Sequence, residues 1–365
     1  MYHRMLFRNL QYAQWILLSL ILLLLPLSAF CDDALLKVYG GGLKLFDGDS
    51  TPIRMQSETV IIELHKKSYT IDATFEFFNH GKTIIAQVGF PKRGYGYTPD
   101  FKGVDDLNDF ETWVNGEIVH VKEMPGEVII NGQKADAVQM MKIKKGELTG
   151  PIEETRWLVK NVTFRGNART ITRVKYTVPY GGIHGGRNND RGEYLYGTGK
   201  SWNGTIGKAR FIVRESPDVS LLVVSFTENE HEQNVRKYSF KRLGGYEYEY
   251  ILEDIEPKEN EALKFAVTFN WDSWDGSVFS GYDEKAVKRE QLEHFSLWQL
   301  KLLRNTIYAF HGKIFNDPKL NKYFRKYDWY KPKKDFTESE LNKIEKDNIA
   351  AIAAYENELK SLSPK

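Results

Sequence analysis

The residues that invite a chemical reading are few and scattered. Gly199, Lys200 and Ser201 end like a phosphate-binding loop, in which glycines let backbone amides surround phosphate oxygens. That loop needs a Gly five residues before Gly199, where Tyr194 stands, and a helix after it, where Trp202, Asn203 and Gly204 lead into a strand. Nucleotide binding is therefore not expected. Ser201 also lies near a nucleophile-elbow pattern, but with one residue too many. Gly48, Asp49 and Ser50 form a second serine motif whose partner His needs an Asp three residues earlier. None of His65, His80, His120, His184, His231, His294 and His311 has one. His231 and Glu232 lack a second zinc-ligating His, because Val235 occupies its place. The oxygen-rich stretch from Asp272 to Ser277 misses the spacing of a calcium loop and reads as a turn. The single Cys, Cys31, excludes a disulfide framework and any multi-thiolate metal site. No catalytic residue, metal ligand set or cofactor is expected, and an enzyme is the less favoured class.

Two anion-binding candidates remain. Gly181, Gly182, Gly185 and Gly186 surround His184 and Arg187, with Arg191 close behind. This is a hairpin loop by default, and a backbone nest for an anion by the sharper reading. Residues 301–334 hold ten Lys+Arg against two Asp+Glu. Lys322, Arg325, Lys326, Lys331, Lys333 and Lys334 alternate there with Tyr323, Phe324, Tyr327, Trp329 and Tyr330. Such a segment fits anionic wall polymers or lipid headgroups, and equally a solvated face. His311 reads first as a helix-end residue bonded to a carbonyl, and second as a partner contact.

These residues are carried by two kinds of element. From about residue 57 apolar residues alternate with polar ones, as in Val60, Ile62 and Leu64, or Ile71, Ala73, Phe75 and Phe77. The same texture recurs at residues 84–90, 112–121, 157–164, 170–180, 209–213, 219–226 and 263–269. Period two specifies half-buried strands, so residues 33–280 are expected to be all-β, as one or two antiparallel sandwiches that could divide near 181–193. After Asp283 the period becomes helical. Leu292, Phe295, Leu302, Leu303 and Phe310 predict one helix of about 25 residues. Asp317 and Pro318 start another, and Thr337 with Glu340 form a capping box for the last. Its stripe is Leu341, Ile344, Ile352, Tyr355 and Leu359, with Asn348 expected as a buried, hydrogen-bonded side chain.

The sequence from Tyr308 through Ala309, Phe310, His311 and Gly312, followed by Asp317-Pro318, Tyr323-Phe324, Trp329-Tyr330-Lys331-Pro332 and Thr337 to Leu341, resembles a YARHG domain over residues 296–360. Phe310 stands where that family's name has Arg, so no role of that arginine carries over. The resemblance implies an exported bacterial protein in an envelope setting. The β-rich front is more weakly similar to bacterial secreted domains of unknown function, through Phe75 to Asn79, Phe90-Pro91, and the glycine-rich run from Tyr196 to Gly207.

Export is also expected from the leader. Arg4 and Arg8 precede an apolar run over residues 15–30, the form of a signal peptide ending near residue 31, or of an uncleaved anchor. Cys31 raises lipidation, which the bulky Phe30 before it disfavours. Without the leader the net charge is zero, yet residues 285–365 carry 17 Lys+Arg against 11 Asp+Glu, a +6 end balanced by a −6 front. The expected organisation is thus a signal peptide (1–31), a β region (33–280), a helical linker (283–295) and a YARHG-like helical domain (296–360). The expected function is non-catalytic binding or a structural role in the cell envelope, with the C-terminal domain attaching to wall polymer or an anionic membrane surface. An envelope hydrolase and an adhesin-like module are the alternatives. Nucleic acid fits the charge but not the exported address.

Overall fold

Strand alternation decides the larger part of the molecule. The computed structural model describes residues 37–40, 44–45, 51–98, 107–181, 190–216, 219–227, 237–269, 285–293 and 295–362. All of these belong to one unit, Leu35–Lys365. Its strands are β1 (Lys37–Gly40), β2 (Lys44–Leu45), β3 (Ile53–Leu64), β4 (Ser68–Asn79), β5 (Ile84–Thr98), β6 (Asn108–Val114), β7 (Glu117–Ile118), β8 (Lys122–Ile130), β9 (Gln133–Lys134), β10 (Gly150–Phe164), β11 (Ala168–Pro179), β12 (Asp190–Leu195), β13 (Ile206–Arg214), β14 (Val219–Thr227), β15 (Ser239–Gly244), β16 (Glu247–Ile255) and β17 (Ala262–Phe269).

An eight-stranded sheet, β15-β16-β13-β3-β4-β11-β6-β7, is the backbone of this body. Its pairings are antiparallel except for β3 with β13, which run parallel. Along β4 every second side chain is buried, because successive Cβ atoms leave opposite faces of a sheet. The registers align one inward row as Tyr250, Phe211, Val60, Ala73, Val174 and Thr112. Two smaller sheets cover that face. The three-stranded sheet β12-β17-β14 brings Tyr194 and Phe226 against Phe211, with ring centroids 6.1 and 5.3 Å apart. A six-stranded sheet contains β1, β2, β5, β10, β8 and β9. It brings Phe90 to 4.9 Å from Tyr176 and Phe164 to 5.7 Å from Phe77. Residues of all three sheets share one apolar core. Asn115-Gly116 and Asn131-Gly132 supply the paired positive φ angles of tight hairpin turns.

The β region is not wholly β. Helix α1 (Ala137–Lys144) follows β9, with Asp136 accepting from the Gln139 amide at 2.7 Å. Its apolar residues lack helical period strong enough to show in the sequence, and Val138 and Met141 are exposed.

At the C-terminal end the expected long helix is divided into α2 (Arg289–Leu292) and α3 (Leu297–Phe310). Ser296 ends the intervening turn and caps α3. It exchanges bonds with Gln299, a reciprocal cap that wins over apolar periodicity at this point. Helix α4 (Pro318–Phe324) starts at the Asp317 cap with Pro at its first turn, as its sequence requires. The Thr337 and Glu340 box opens only a 3-10 turn over Glu338–Glu340. The last helix, α5 (Lys343–Leu362), is capped instead by Asn342, whose side chain and backbone exchange bonds with Glu345 at 2.9 and 2.8 Å. Ile352, Tyr355 and Leu359 are buried with Leu300, Leu303, Ile307 and Phe324 in a second core. Ile344 leaves the expected stripe and is exposed. Asn348 is buried as expected, accepting from the Val287 amide and donating to the Lys285 carbonyl, both at 2.8 Å.

Candidate functional site

The C-terminal motif builds a clasp. Gly312 ends α3 with φ +78°, and a Cβ there would lie 2.4 Å from the Lys331 carbonyl oxygen. Only glycine accepts both the left-handed backbone and that approach. The Lys333 amide donates to the Gly312 carbonyl at 2.9 Å, which fixes the segment carrying residues 331–333 beside the helix end. His311 Nε2 donates to Glu345 Oε1 at 2.8 Å, and Glu345 is nearly fully buried. One carboxylate therefore caps α5 and ties it to α3. Tyr308 holds the Lys313 ammonium 3.8 Å from its ring centroid. Phe310 packs at 4.9 Å on Trp329, which also stacks on Tyr327 at 5.7 Å.

The clasp sorts the candidate residues. Lys322, Arg325, Lys326, Lys331 and Lys334 are exposed. Lys326 lies over the Tyr323 ring, 6.0 Å from its centroid. Lys333 is engaged by Glu340, whose carboxyl this holds below the usual range. Trp329 is half-buried and Tyr330 buried, its hydroxyl donating to the Lys313 carbonyl at 2.8 Å. His311 faces Glu345 rather than a carbonyl or solvent, so its structural partner is one that helix-end reasoning missed. In the other candidate loop, His184 and Arg187 lie outside the described residues. Arg191 is exposed and pairs through its backbone with Gly181.

A comparison of cations across the molecule separates two surfaces. On the solvent face of the eight-stranded sheet, Arg169 meets Glu76, Arg173 grips Asp72, Arg210 meets Glu249, and Arg214 joins Glu63 to Glu247. Around α4, Lys319, Lys322, Arg325, Lys331 and Lys334 are exposed and have no carboxylate within ion-pair distance among the described residues. Asp317, the acid that caps α4, is taken by Lys301 at 2.7 Å and by the Lys319 amide at 2.9 Å.

The helical end is joined to the β body through a partly buried arginine. Arg242 on β15 donates to the carbonyls of Gly244 and Gly245, and to those of Glu293 and Phe295 in the turn before α3. Its guanidinium also lies over the rings of Tyr248 and Tyr355. Ser220 donates to Ser296 at 3.1 Å beside it. Glu215, accepting from the Leu221 amide at 2.7 Å and from Tyr248, is buried close by, and burial pushes its carboxyl up to about 8.

Inside the β core three charged residues occupy inward positions. Glu58 sits in phase with Val60 and Ile62 because a bulge at residues 55–57 resets β3. It accepts from the Tyr194 hydroxyl, and burial raises its carboxyl to about 7. Lys160, in phase with Val162 and Phe164, donates to Thr112 Oγ and the Trp113 carbonyl, and burial lowers it to about 7. Lys92 is buried in an ion pair with Glu123 at 2.8 Å. Glu58 and Lys160 are at most 5% exposed, so neither meets a substrate at the surface. Among the described residues no group of three or more His, Cys, Asp or Glu could hold a metal ion. Nor, among those residues, is any helix long and apolar enough to cross a membrane.

No curated protein matches the sequence. Among solved structures, a proposed nutrient-binding protein from Legionella pneumophila is 20% identical with a TM-score of 0.47, over 88% of this chain and 99% of that one. An M1 zinc metallopeptidase from Deinococcus radiodurans is 12% identical with a TM-score of 0.26, over 59% and 42%. Legionella pneumophila aminopeptidase A is 11% identical with a TM-score of 0.25, over 63% and 22%, so this chain spans less than half of either peptidase. In the helical end, a family model covers the segment in which the His311–Glu345 and Gly312–Lys333 contacts lie. The chain carries a YARHG domain over residues 276–357.

Proposed function

We propose that the protein is exported to the cell envelope and works there by non-catalytic binding, with its C-terminal domain holding an anionic wall polymer or surface. The observation that carries this reading is the set of exposed cations at Lys322, Arg325, Lys331 and Lys334, which have no carboxylate partner among the described residues, in a molecule where Arg169, Arg173, Arg210 and Arg214 of the large sheet are neutralised in place. Unpaired surface cations keep a field that reaches an approaching polyanion, whereas paired ones cancel within their own contact. The +6 balance of residues 285–365 and the basic-then-apolar leader over residues 1–31 point the same way. In this reading the leader delivers the chain, the β body stands as a rigid platform, and the YARHG domain provides attachment.

Retention of the full chain on purified cell walls tests this at low and high salt. Retention at low salt, release at high salt, and loss on combining Lys322→Glu, Arg325→Glu and Lys331→Glu are expected. Absence of retention at low salt overturns the attachment role.

A further inference from the structure

We propose that the cationic surface takes a linear polyanion, a chain of covalently linked anionic groups, and not a lipid bilayer or a single anion. This rests on the attachment reading above and names the class of ligand for that same surface. Lys319, Lys322 and Arg325 follow each other at three-residue steps along α4 and its C-cap. Each step advances about 4.5 Å along the axis, so the three charges form a row about 9 Å long. The row lies opposite Leu320, Tyr323 and Phe324, which are buried in the helical core. The side chains of Lys319, Lys322 and Arg325 are all exposed, and none has a carboxylate partner among the described residues.

Three features favour a linear ligand. A helix that binds a bilayer lays an apolar face into the lipid; the apolar face of α4 is already used by the protein core, and its exposed side carries no large apolar residue. A single small anion needs converging donors, but these cations are strung along an axis. Two of the three are lysines, compact point charges that respond to local charge and impose little oxyanion geometry. Linked anions gain from such a row because the second and third contacts become intramolecular.

The experiment compares three probes with the full chain: long-chain inorganic polyphosphate, tripolyphosphate, and vesicles of neutral lipid doped with anionic phospholipid. Long-chain polyphosphate is expected to bind at least about tenfold more tightly than tripolyphosphate at equal phosphate concentration. The salt dependence should become shallower by about one power of salt concentration for each of Lys319→Ala, Lys322→Ala and Arg325→Ala. These positions are exposed, and circular dichroism confirms folding; Lys175→Ala on the sheet serves as control. Equal binding of the long and short phosphates overturns the proposal. Binding to vesicles but not polyphosphate overturns it too, while leaving envelope attachment standing. Polyphosphate binding unchanged when Lys319→Ala, Lys322→Ala and Arg325→Ala are combined overturns the assignment of these residues. Failure of polyphosphate, vesicles and cell walls together overturns both this proposal and the attachment reading.

Discussion

The arginine rows of the eight-stranded sheet and the cations around α4 differ in what surrounds them. In the body, Arg173 is gripped by Asp72 while lying 4.7 Å over the Trp113 ring, and Arg214 bridges carboxylates on two neighbouring strands. Strand registers place such partners side by side, so opposite charges on adjacent strands neutralise each other without long loops. At the helical end the buried faces are spent on one small core. The cations of α4 point away from it and meet no carboxylate among the described residues. Four sheet arginines are therefore neutralised in place, whereas the cations on and beside α4 have no carboxylate partner among the described residues. The difference is set by what each backbone places alongside.

The comparison can be broken most severely at the cores. Phe211→Ala removes a ring packed against Tyr194, Tyr196 and Phe226, and should cost about 3–5 kcal/mol in chemical denaturation. If the β body and helical end unfold as one, tryptophan fluorescence and far-ultraviolet dichroism should report the same loss. Arg242→Leu attacks their connection. It removes four donated bonds, two of them to carbonyls before α3, and should cost about 2–4 kcal/mol. A single unfolding transition is then expected to separate into two; persistence of one transition at unchanged stability would show that Arg242 does not couple the parts.

Acidity sharpens the comparison next. Glu58 has a folded value near 7 against an ordinary 4.5, so its contribution is fully present below pH 4.5 and is lost as pH rises through 7. That loss is on the order of 3 kcal/mol, and Glu58→Gln should flatten it. Glu215 acts in the same direction up to about pH 8. Lys160 is lowered from 10.5 to about 7, so its share falls as pH drops from 10.5 toward 7, and Lys160→Met should remove that slope. Denaturation midpoints across pH 4 to 10 for these variants measure each arm, taken at a pH spacing of about one unit.

Smaller effects are expected at the clasp and on the sheet surface. His311→Gln weakens the bond to Glu345 and should cost about 1–2 kcal/mol, with loss of polymer retention only if the 331–333 segment shifts. Arg173→Ala should cost at most about 1 kcal/mol, because its ion pair is partly solvated. It should leave cell-wall retention unchanged. A large effect of Arg173→Ala on retention would erase the distinction between the two surfaces.

Much of this was legible in residue order. Period two located the strands, and Asp317-Pro318 fixed the start of α4 to the residue. Helical period found the C-terminal elements but joined α2 to α3, since the Ser296 cap is a local hydrogen-bond device that hydrophobic spacing does not register. Glu58 and Lys160 carried a signal that period two could have caught: each occupies the inward phase of its own strand. Recognising them required accepting a charge where the pattern calls for an apolar residue. Glu345 and Arg242 gave no such hint, because their partners, His311 and the carbonyls before α3, lie 34 and about fifty positions away.

The sequence by itself determined that a strand region precedes a helical end, the basic balance of that end and the glycine at position 312, since alternation, charge count and backbone freedom are properties of neighbouring residues. Tertiary structure alone decided which charges remain available. Lys333 and Lys334 are adjacent and chemically identical, yet folding brings Glu340 to the first and no described carboxylate to the second. Charge neutralisation depends on distance in space, and only the folded chain fixes it.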